Sequence, residues 1–397
     1  MTNSDRSILT VTCYGHLLSH FNMLVFPAIL LPLSGMLAME MRAVLNLAFW
    51  MYLLFGFTAL GWGMLADKFG PRRLLALFYG GAGLSAFWAA TVMDNPGQLS
   101  LALAAIGFFS GIYHPAGLGW IAKAVERTSL AMAYNGMFGN LGLALGPLMA
   151  GLVNYFSGPQ TVYVVVGIMN LFGLLLLLGT RKNNTDARVV RKNDDQRSWP
   201  SFVILMGAMM LGGVVYRGIT VTLPALFELQ GTGLYTQLSQ ILPWQASPNV
   251  MATSLVSLLF LIGMGGQYYG GHVGERHDLR WSYFLFHLLT IPAAFLISLT
   301  SDIPLVLLAI FHSFFLLGMQ PIENTLVARL TPPNLHSSAY GLKFVVTFGV
   351  GSLAVKMVHF IEAGQGIEAV FPMLGFVSIL LLGVIALLIR ATPPMRS

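Results

Sequence analysis

Histidine and arginine side chains occur inside long apolar runs of this sequence, where ionisable groups are rare. His16 and His20 lie four residues apart, which is one helical turn, so on a helix they share a face. His114 lies in a second apolar run and Arg217 in a third. An imidazole can exchange a proton near neutral pH, and a guanidinium can bind an anionic group. We predict that these four residues bind a polar or anionic substrate, and that His20 and His114 also carry protons.

Two further polar residues, Gln320 and Glu323, extend this predicted site. Gln320 is expected to contact substrate. Glu323 is the carboxylate that lies well inside an apolar run and is the best carboxylate candidate for proton coupling, because polar groups inside a membrane usually face a cavity. Glu323 could instead simply pair with Lys343 or Arg329, and Lys343 could instead help to attract anions.

The composition indicates a membrane protein. The 397 residues are 56% hydrophobic and only 9% charged, against about 25% charged in a soluble domain. Apolar runs of about twenty residues recur, which is the length that crosses a ~30 Å hydrocarbon core, and strands of a membrane barrel would be shorter and alternating. We predict an all-α membrane protein whose twelve transmembrane spans cover approximately residues 8–33, 43–66, 73–93, 98–122, 130–156, 160–180, 200–229, 250–272, 281–300, 303–328, 336–361 and 367–390.

Basic residues predict the orientation. If the N-terminus is cytoplasmic, the 21 lysines and arginines all fall on that side except Arg42, Arg217, Lys343 and Lys356. By the positive-inside rule, both termini are then cytoplasmic, in a bacterial-type inner membrane. The expected partners are the lipid bilayer, a small-molecule substrate and protons. We expect a monomer, no nucleic acid and no cofactor, and the single cysteine, Cys13, excludes an internal disulfide.

The chain contains an internal repeat. At an offset of 206 residues, Phe108 matches Phe314 and Pro115 matches Pro321, and in spans one and seven His20 matches Arg217 at an offset of 197. We predict two pseudo-symmetric six-helix bundles, residues 1–180 and 200–397, joined by a polar cytoplasmic linker at 181–199. Paired halves are typical of secondary transporters, with the substrate site between them.

A charged segment between spans two and three carries the first family resemblance. The run Gly63–Arg73 resembles the loop signature G-x-L-x-D-R-x-G-R-R of the major facilitator superfamily, and Gly271–Arg280 is a weaker copy. The resemblance implies a cytoplasmic latch between the two halves. Physically, Asp67 could pair with a base on a neighbouring helix and separate from it when the halves move, or the bases could only set topology. The predicted latch residues are Gly63, Asp67, Lys68, Gly70, Arg72, Arg73, Glu275, Arg276 and Arg280.

Span five carries a second resemblance. Its residues Gly142, Gly146, Pro147 and Gly151, preceded by Gly139, resemble the motif of drug:proton antiporters within the superfamily. Small residues four apart let helices approach closely, and Pro147 is expected to kink the helix. The equivalent part of span eleven lacks the Gly-Pro pair, and this asymmetry favours an exporter.

Spans one and four narrow the resemblance. Gly15–His20 and Gly111–Pro115 look like the fosmidomycin-resistance type of efflux protein. That type tends to have an aspartate where this chain has His20 and a glutamate where it has Ala116, so two candidate acids of the proton route are replaced.

Three functions fit these patterns. The first is a secondary transporter that couples proton movement to efflux of a small amphiphilic or anionic compound by alternating access. The second is uptake or symport of an organic anion, using Arg217 and Lys343. The third is transition-metal transport through the histidine cluster, although the missing acids and thiols weaken it. An enzyme is not expected, because the nucleotide-binding motif G-x-x-x-x-G-K-[ST] is absent.

Overall fold

The computed structural model describes residues 3–125, 128–180, 199–241, 246–331 and 336–395. The chain divides into two compact units, Met1–Lys192 and Asn193–Ser397. The predicted linker 181–199 falls outside the described residues except for Trp199, which begins a helix.

All regular elements in the described ranges are helical. Unit 1 contains α1 (Asn3–Ala28), α2 (Leu30–Leu37), α3 (Met41–Leu47), α4 (Phe49–Phe57), α5 (Ala59–Phe69), α6 (Pro71–Thr91), α7 (Pro96–Ser110), α8 (Tyr113–Ala124) and α9 (Thr128–Leu178). Unit 2 contains α10 (Trp199–Gln230), α11 (Thr232–Ile241), α12 (Pro248–Arg276), α13 (Leu279–Ile297), α14 (Asp302–Gly318), α15 (Gln320–Leu330), α16 (His336–Phe344), α17 (Leu353–Gln365) and α18 (Val370–Ala391). A π-helical segment, Val345–Gly349, and a short 3₁₀ helix, Val350–Ser352, connect α16 to α17.

These helices form the twelve predicted spans. In the described part of the chain, nine helical stretches are long and apolar enough to cross a membrane, and two bent helix pairs raise the number to eleven. The long helix α9 leaves helical geometry at Gly158, whose φ of +78° suits a residue without a side chain, so it supplies spans five and six. The all-α membrane fold is confirmed, with six spans in each unit.

Spans four and ten are broken at equivalent places. Span four breaks between α7 and α8 at Gly111 and Ile112, three to four residues before Pro115, and span ten breaks at Met319, two residues before Pro321. Proline has no N–H and its ring crowds the carbonyl four residues earlier, so the helix is interrupted there. In consequence, His114 and Gln320 each lie in the first turn of a new helix, immediately before the proline.

Span one packs against span five through glycines. A Cβ on Gly142 would lie 2.1 Å from the backbone oxygen of Leu17, and a Cβ on Gly146 would lie 3.3 Å from the Cβ of Leu24. Pro147 and Gly151 are buried as well, and the backbone dihedral angles remain helical at Pro147. The glycines therefore permit a close helix contact, as small residues do in membranes.

An arginine caps the last helix of each unit. In unit 1, Arg72 Nη2 donates hydrogen bonds to the carbonyl oxygens of Leu177 (3.0 Å) and Thr180 (2.8 Å), at the end of α9. In unit 2, its repeat mate Arg280 donates through Nη1 to the carbonyls of Ile389 (3.1 Å) and Thr392, at the end of α18. Both arginines satisfy carbonyls that the helix leaves without a donor, and their charge suits a helix C-terminus.

Asp278 holds the capping arginine of unit 2 in place. Its carboxylate accepts from Arg280 Nε (2.9 Å) and Nη2 (2.8 Å), and from the backbone N–H of Met395 (3.0 Å). Partial burial acts to raise the pKa of Asp278, but these hydrogen bonds and the guanidinium charge outweigh it and bring the pKa below its usual value.

We expect Gly142→Ala to lower stability, because a methyl group there would overlap the Leu17 carbonyl and force the two spans apart. Overpacking of this kind costs about 1–3 kcal/mol. The measurement is the thermal unfolding midpoint of the purified protein in detergent. Gly136→Ala, on the same helix with nothing within 4 Å of the added carbon, is the matched control. Equal midpoints for the two variants would contradict the close contact.

Asp278→Asn should destabilise unit 2 at neutral pH by on the order of 1 kcal/mol, because the hydrogen bonds to residue 278 lose their charged acceptor. The folded-state pKa of Asp278 is lowered, so its contribution is present above the unfolded-state value and is lost as pH falls through the folded value. The gap in unfolding midpoint between wild type and variant should therefore be full at pH 7, begin to narrow below about pH 4, and close once the pH falls below the lowered folded-state pKa. Asp94→Asn, at an exposed turn, is the control, and a gap independent of pH would be inconsistent with this role.

Candidate functional site

The three predicted histidines come together within unit 1. His16 and His20 project from α1, and their Nε2 atoms are 3.2 Å apart in a hydrogen bond. His114, at the start of α8, has its ring centroid 5.2 Å from each of theirs. One nitrogen from each ring can be chosen so that all three lie within 4.8 Å of one another.

A backbone carbonyl fixes the orientation of His16. Its Nδ1 lies 2.8 Å from the carbonyl oxygen of Asn135 on α9. A carbonyl can only accept, so Nδ1 carries a hydrogen and Nε2 is left for His20. A Cβ on Gly139 would lie 2.7 Å from the His16 ring, so this glycine provides the space that the ring occupies.

Tyr113 contacts both His16 and Asn135 and so supports the same orientation of the His16 ring. Its ring stacks on His16 with centroids 5.1 Å apart. Its hydroxyl accepts from the side-chain amide of Asn135 (2.7 Å) and donates to the backbone oxygen of Thr12 (2.7 Å). The sequence pointed to Tyr113 as a possible pocket-lining aromatic, but Asn135 was missed. The signal for Asn135 was its spacing, four residues before Gly139, which places both on one face of span five.

Unit 2 contains a buried ion pair. The Glu323 carboxylate lies 2.7 Å from the Lys343 ammonium, and their side chains are only 4% and 9% exposed. Tyr283 donates a hydrogen bond to Glu323 (2.7 Å), and Asn324 accepts one from Lys343 (2.5 Å). The pairing that the sequence offered as an alternative for Glu323 is thus present, with Lys343 as the partner.

His287 lies beside Tyr283 and so adjoins the buried ion pair. The sequence analysis did not identify it. It lies one turn after Tyr283 on α13, and the two ring centroids are 4.8 Å apart. Neither ring nitrogen of His287 has a hydrogen-bond partner among the described residues. The available signal was the four-residue spacing of Tyr283 and His287 in span nine.

The remaining predicted substrate contacts also lie in unit 2. Arg217 is buried near the middle of α10. The Gln320 side chain accepts a hydrogen bond from Gln267 (2.7 Å), which joins spans eight and ten. The histidine cluster belongs to unit 1, so its convergence with Arg217 and Gln320 on one pocket stays a prediction.

The charged segment after span two forms an ion pair inside unit 1. Asp67 lies 2.5 Å from Lys123 at the end of α8, so a base on a neighbouring helix is indeed its partner. Gly70, with φ +88°, makes the turn from α5 into α6. Gly63 lies against Pro115, where an added Cβ would be 3.3 Å away.

The other predicted latch residues have different surroundings. Arg72 and Arg280 cap helices within their own units. Lys68 lies over the ring of Phe69, 5.3 Å from its centroid. Three are exposed at the surface: Arg73, Glu275 and Arg276. A latch that opens and closes between the units stays a prediction.

The long apolar helices place the protein among multi-pass membrane proteins, and the match to a transporter family makes it a membrane transporter. The family model described as Major Facilitator Superfamily matches residues 12–355, and the chain belongs to that superfamily.

Solved structures of transporters share the fold. A POT family transporter in complex with a thioalcohol-conjugated peptide aligns with TM-score 0.77 at 13% identity, covering 96% of each chain. A D-xylose-proton symporter aligns with TM-score 0.74 at 14% identity, covering 99% of each. A bacterial homologue of the human lysosomal transporter Spinster aligns with TM-score 0.73 at 14% identity, covering 98% of each.

A curated relative matches part of the sequence. Puromycin resistance protein pur8 of Streptomyces alboniger is 35% identical over 144 residues, which are 35% of this chain and 27% of that protein. The chain therefore matches about a quarter of the length of that relative.

Proposed function

We propose that this membrane transporter is a proton-coupled exporter of a small amphiphilic or anionic compound. It would work by alternating access in a bacterial-type cytoplasmic membrane, with both termini in the cytoplasm. The observation that carries the proposal is the buried pair of Glu323 and Lys343, because it joins a protonatable carboxylate to a fixed cation on another span.

Protonation of Glu323 gives this pair two states. A neutral Glu323 would leave the Lys343 charge buried without its counter-charge, and breaking a buried ion pair costs about 3–5 kcal/mol. The two residues lie on spans ten and eleven, so the cost is relieved when these spans move relative to each other. The π-helical segment Val345–Gly349 begins two residues after Lys343, and such irregular turns often mark functional positions in helices.

Efflux is supported by two likenesses. The glycines of span five resemble the motif of drug:proton antiporters, and here they pack directly against span one. The partial relative is named for puromycin resistance. Both favour movement of a compound out of the cytoplasm, and the resemblance to fosmidomycin-resistance efflux proteins agrees with them.

The substrate contacts proposed are His16, His20 and His114 in unit 1 and Arg217 and Gln320 in unit 2. The imidazoles offer hydrogen-bonding groups beside the aromatic face of Tyr113, and Arg217 offers a cation. This combination suits a compound with an apolar body and a polar or anionic end.

Uptake of an organic anion is less favoured by the geometry. That alternative used the charges of Arg217 and Lys343 together to attract the anion. Lys343 is instead held by Glu323 and Asn324, so its charge is not added to that of Arg217 as that scheme requires.

Efflux by antiport can be tested in proteoliposomes that contain the purified protein and a pH-sensitive dye, with puromycin and fosmidomycin as the first compounds. We expect the addition of a transported compound to drive protons in the direction opposite to the compound. Glu323→Gln should abolish that proton movement, because the amide does not titrate. Glu323→Gln/Lys343→Met, which also removes the stranded cation, should recover folded protein without coupling. Glu40→Gln, at an exposed carboxylate, is the control. Protons moving with the compound would reject antiport, and coupled transport by the double variant would reject Glu323.

The substrate site predicts a second result. His20→Ala and Arg217→Ala should each reduce transport of the same compound to background, while both proteins remain folded by gel filtration and circular dichroism. His272→Ala, at an exposed histidine on α12, should transport normally. Wild-type rates in both site variants would refute these contacts.

A further inference from the structure

We propose that His16, His20 and His114 form a binding site for one divalent first-row transition-metal ion such as Zn²⁺. The inference concerns binding of the ion to unit 1 and does not require the ion to be transported. Imidazole nitrogen is a preferred ligand of zinc, copper, nickel and iron, and three imidazoles with one open position form a known type of zinc site.

The nitrogen positions are close to those that a metal needs. Two ligands at 2.0–2.1 Å from a tetrahedral zinc ion are about 3.3 Å from each other. The Nε2 atoms of His16 and His20 are 3.2 Å apart, so an ion can replace the hydrogen that they now share. The nitrogen of His114 completes a group within 4.8 Å, so binding an ion would require His114 to move closer to the other two rings.

The surroundings of His16 are those of a metal ligand. Its Nδ1 donates to the Asn135 carbonyl, which directs Nε2 and its lone pair toward His20. Histidine ligands of metals nearly always donate their other ring N–H to such an acceptor, which fixes the ring and increases its basicity. Stacking on Tyr113 and the space left by Gly139 restrict the ring further.

The ligand set also limits the kind of ion. Among the described residues, the group contains three histidines and neither a carboxylate nor a cysteine. A hard ion such as Mg²⁺ or Ca²⁺ needs oxygen ligands, so it does not fit. His16 and His20 are half-buried rather than fully enclosed, so a water molecule can occupy the fourth position and help to solvate the charge.

A bound ion would connect spans one and four, because His16 and His20 lie on α1 and His114 lies on α8. It would also occupy the imidazoles that we propose as substrate contacts, so ion and compound would exclude each other. This last consequence rests on the proposed function, whereas the binding itself does not.

Metal binding can be measured on the full-length protein in detergent, purified without a histidine tag. Titration calorimetry with Zn²⁺ should give one ion per chain, and Co²⁺ should give the visible absorption of a tetrahedral site. His20→Ala and His114→Ala should each weaken Zn²⁺ binding at least about tenfold, in line with the loss of a ligand. His272→Ala should bind as the wild type does.

A second readout guards against variants that fail to fold. Zn²⁺ should raise the unfolding midpoint of the wild type and of His272→Ala, because a ligand of the folded state stabilises it. X-ray absorption of the wild-type complex should show imidazole ligands. Absence of stoichiometric Zn²⁺ binding, or equal binding by wild type, His20→Ala and His114→Ala, would overturn the site. Transport measured with a chelator present tests the proposed function separately, so the failure of one leaves the other standing.

Discussion

The close contact between spans one and five is the constraint on which the site in unit 1 depends. In lipid there is little hydrophobic driving force for helices to associate, so close van der Waals packing must hold them together. Gly142 leaves no room for even a methyl group against the Leu17 carbonyl, which fixes how the two helices lie along each other. The same alignment puts the Asn135 carbonyl opposite His16. The packing of Gly142 against Leu17, the residue after His16, therefore helps to set the hydrogen bond between His16 and Asn135, two turns before Gly142.

The two units bury their ionisable groups in different ways. Unit 1 uses imidazoles that hydrogen-bond to each other and to backbone, an arrangement that needs no net charge. Unit 2 uses opposite charges, Glu323 and Lys343, with Tyr283 satisfying the second carboxylate oxygen. A buried pair is costly to form and costlier to break. Adding a proton thus has opposite effects: it creates a charge in unit 1 and removes a counter-charge in unit 2.

Much of the fold could be predicted because its signals are local. Run length gave the spans, and the four-residue spacing of His16 and His20 placed them on one face. The repeat also anticipated that His114 and Gln320 would occupy matching positions before a proline. The orientation of His16 could not be predicted, because its partner is a backbone carbonyl, which every residue has. The capping by Arg72 and Arg280 was missed for a related reason: the sequence marks a basic loop, but not which helix end lies beside it.

The two capping arginines have a consequence for how such a molecule could be divided. Each ties the last described helix of its own half to the first turn of that half's third span. The end of each half's last described helix is then held by hydrogen bonds within that half. Each half contains its own capping arginine and the carbonyls that it binds. Either half could therefore be expressed as a separate polypeptide, or exchanged between proteins, with these hydrogen bonds intact.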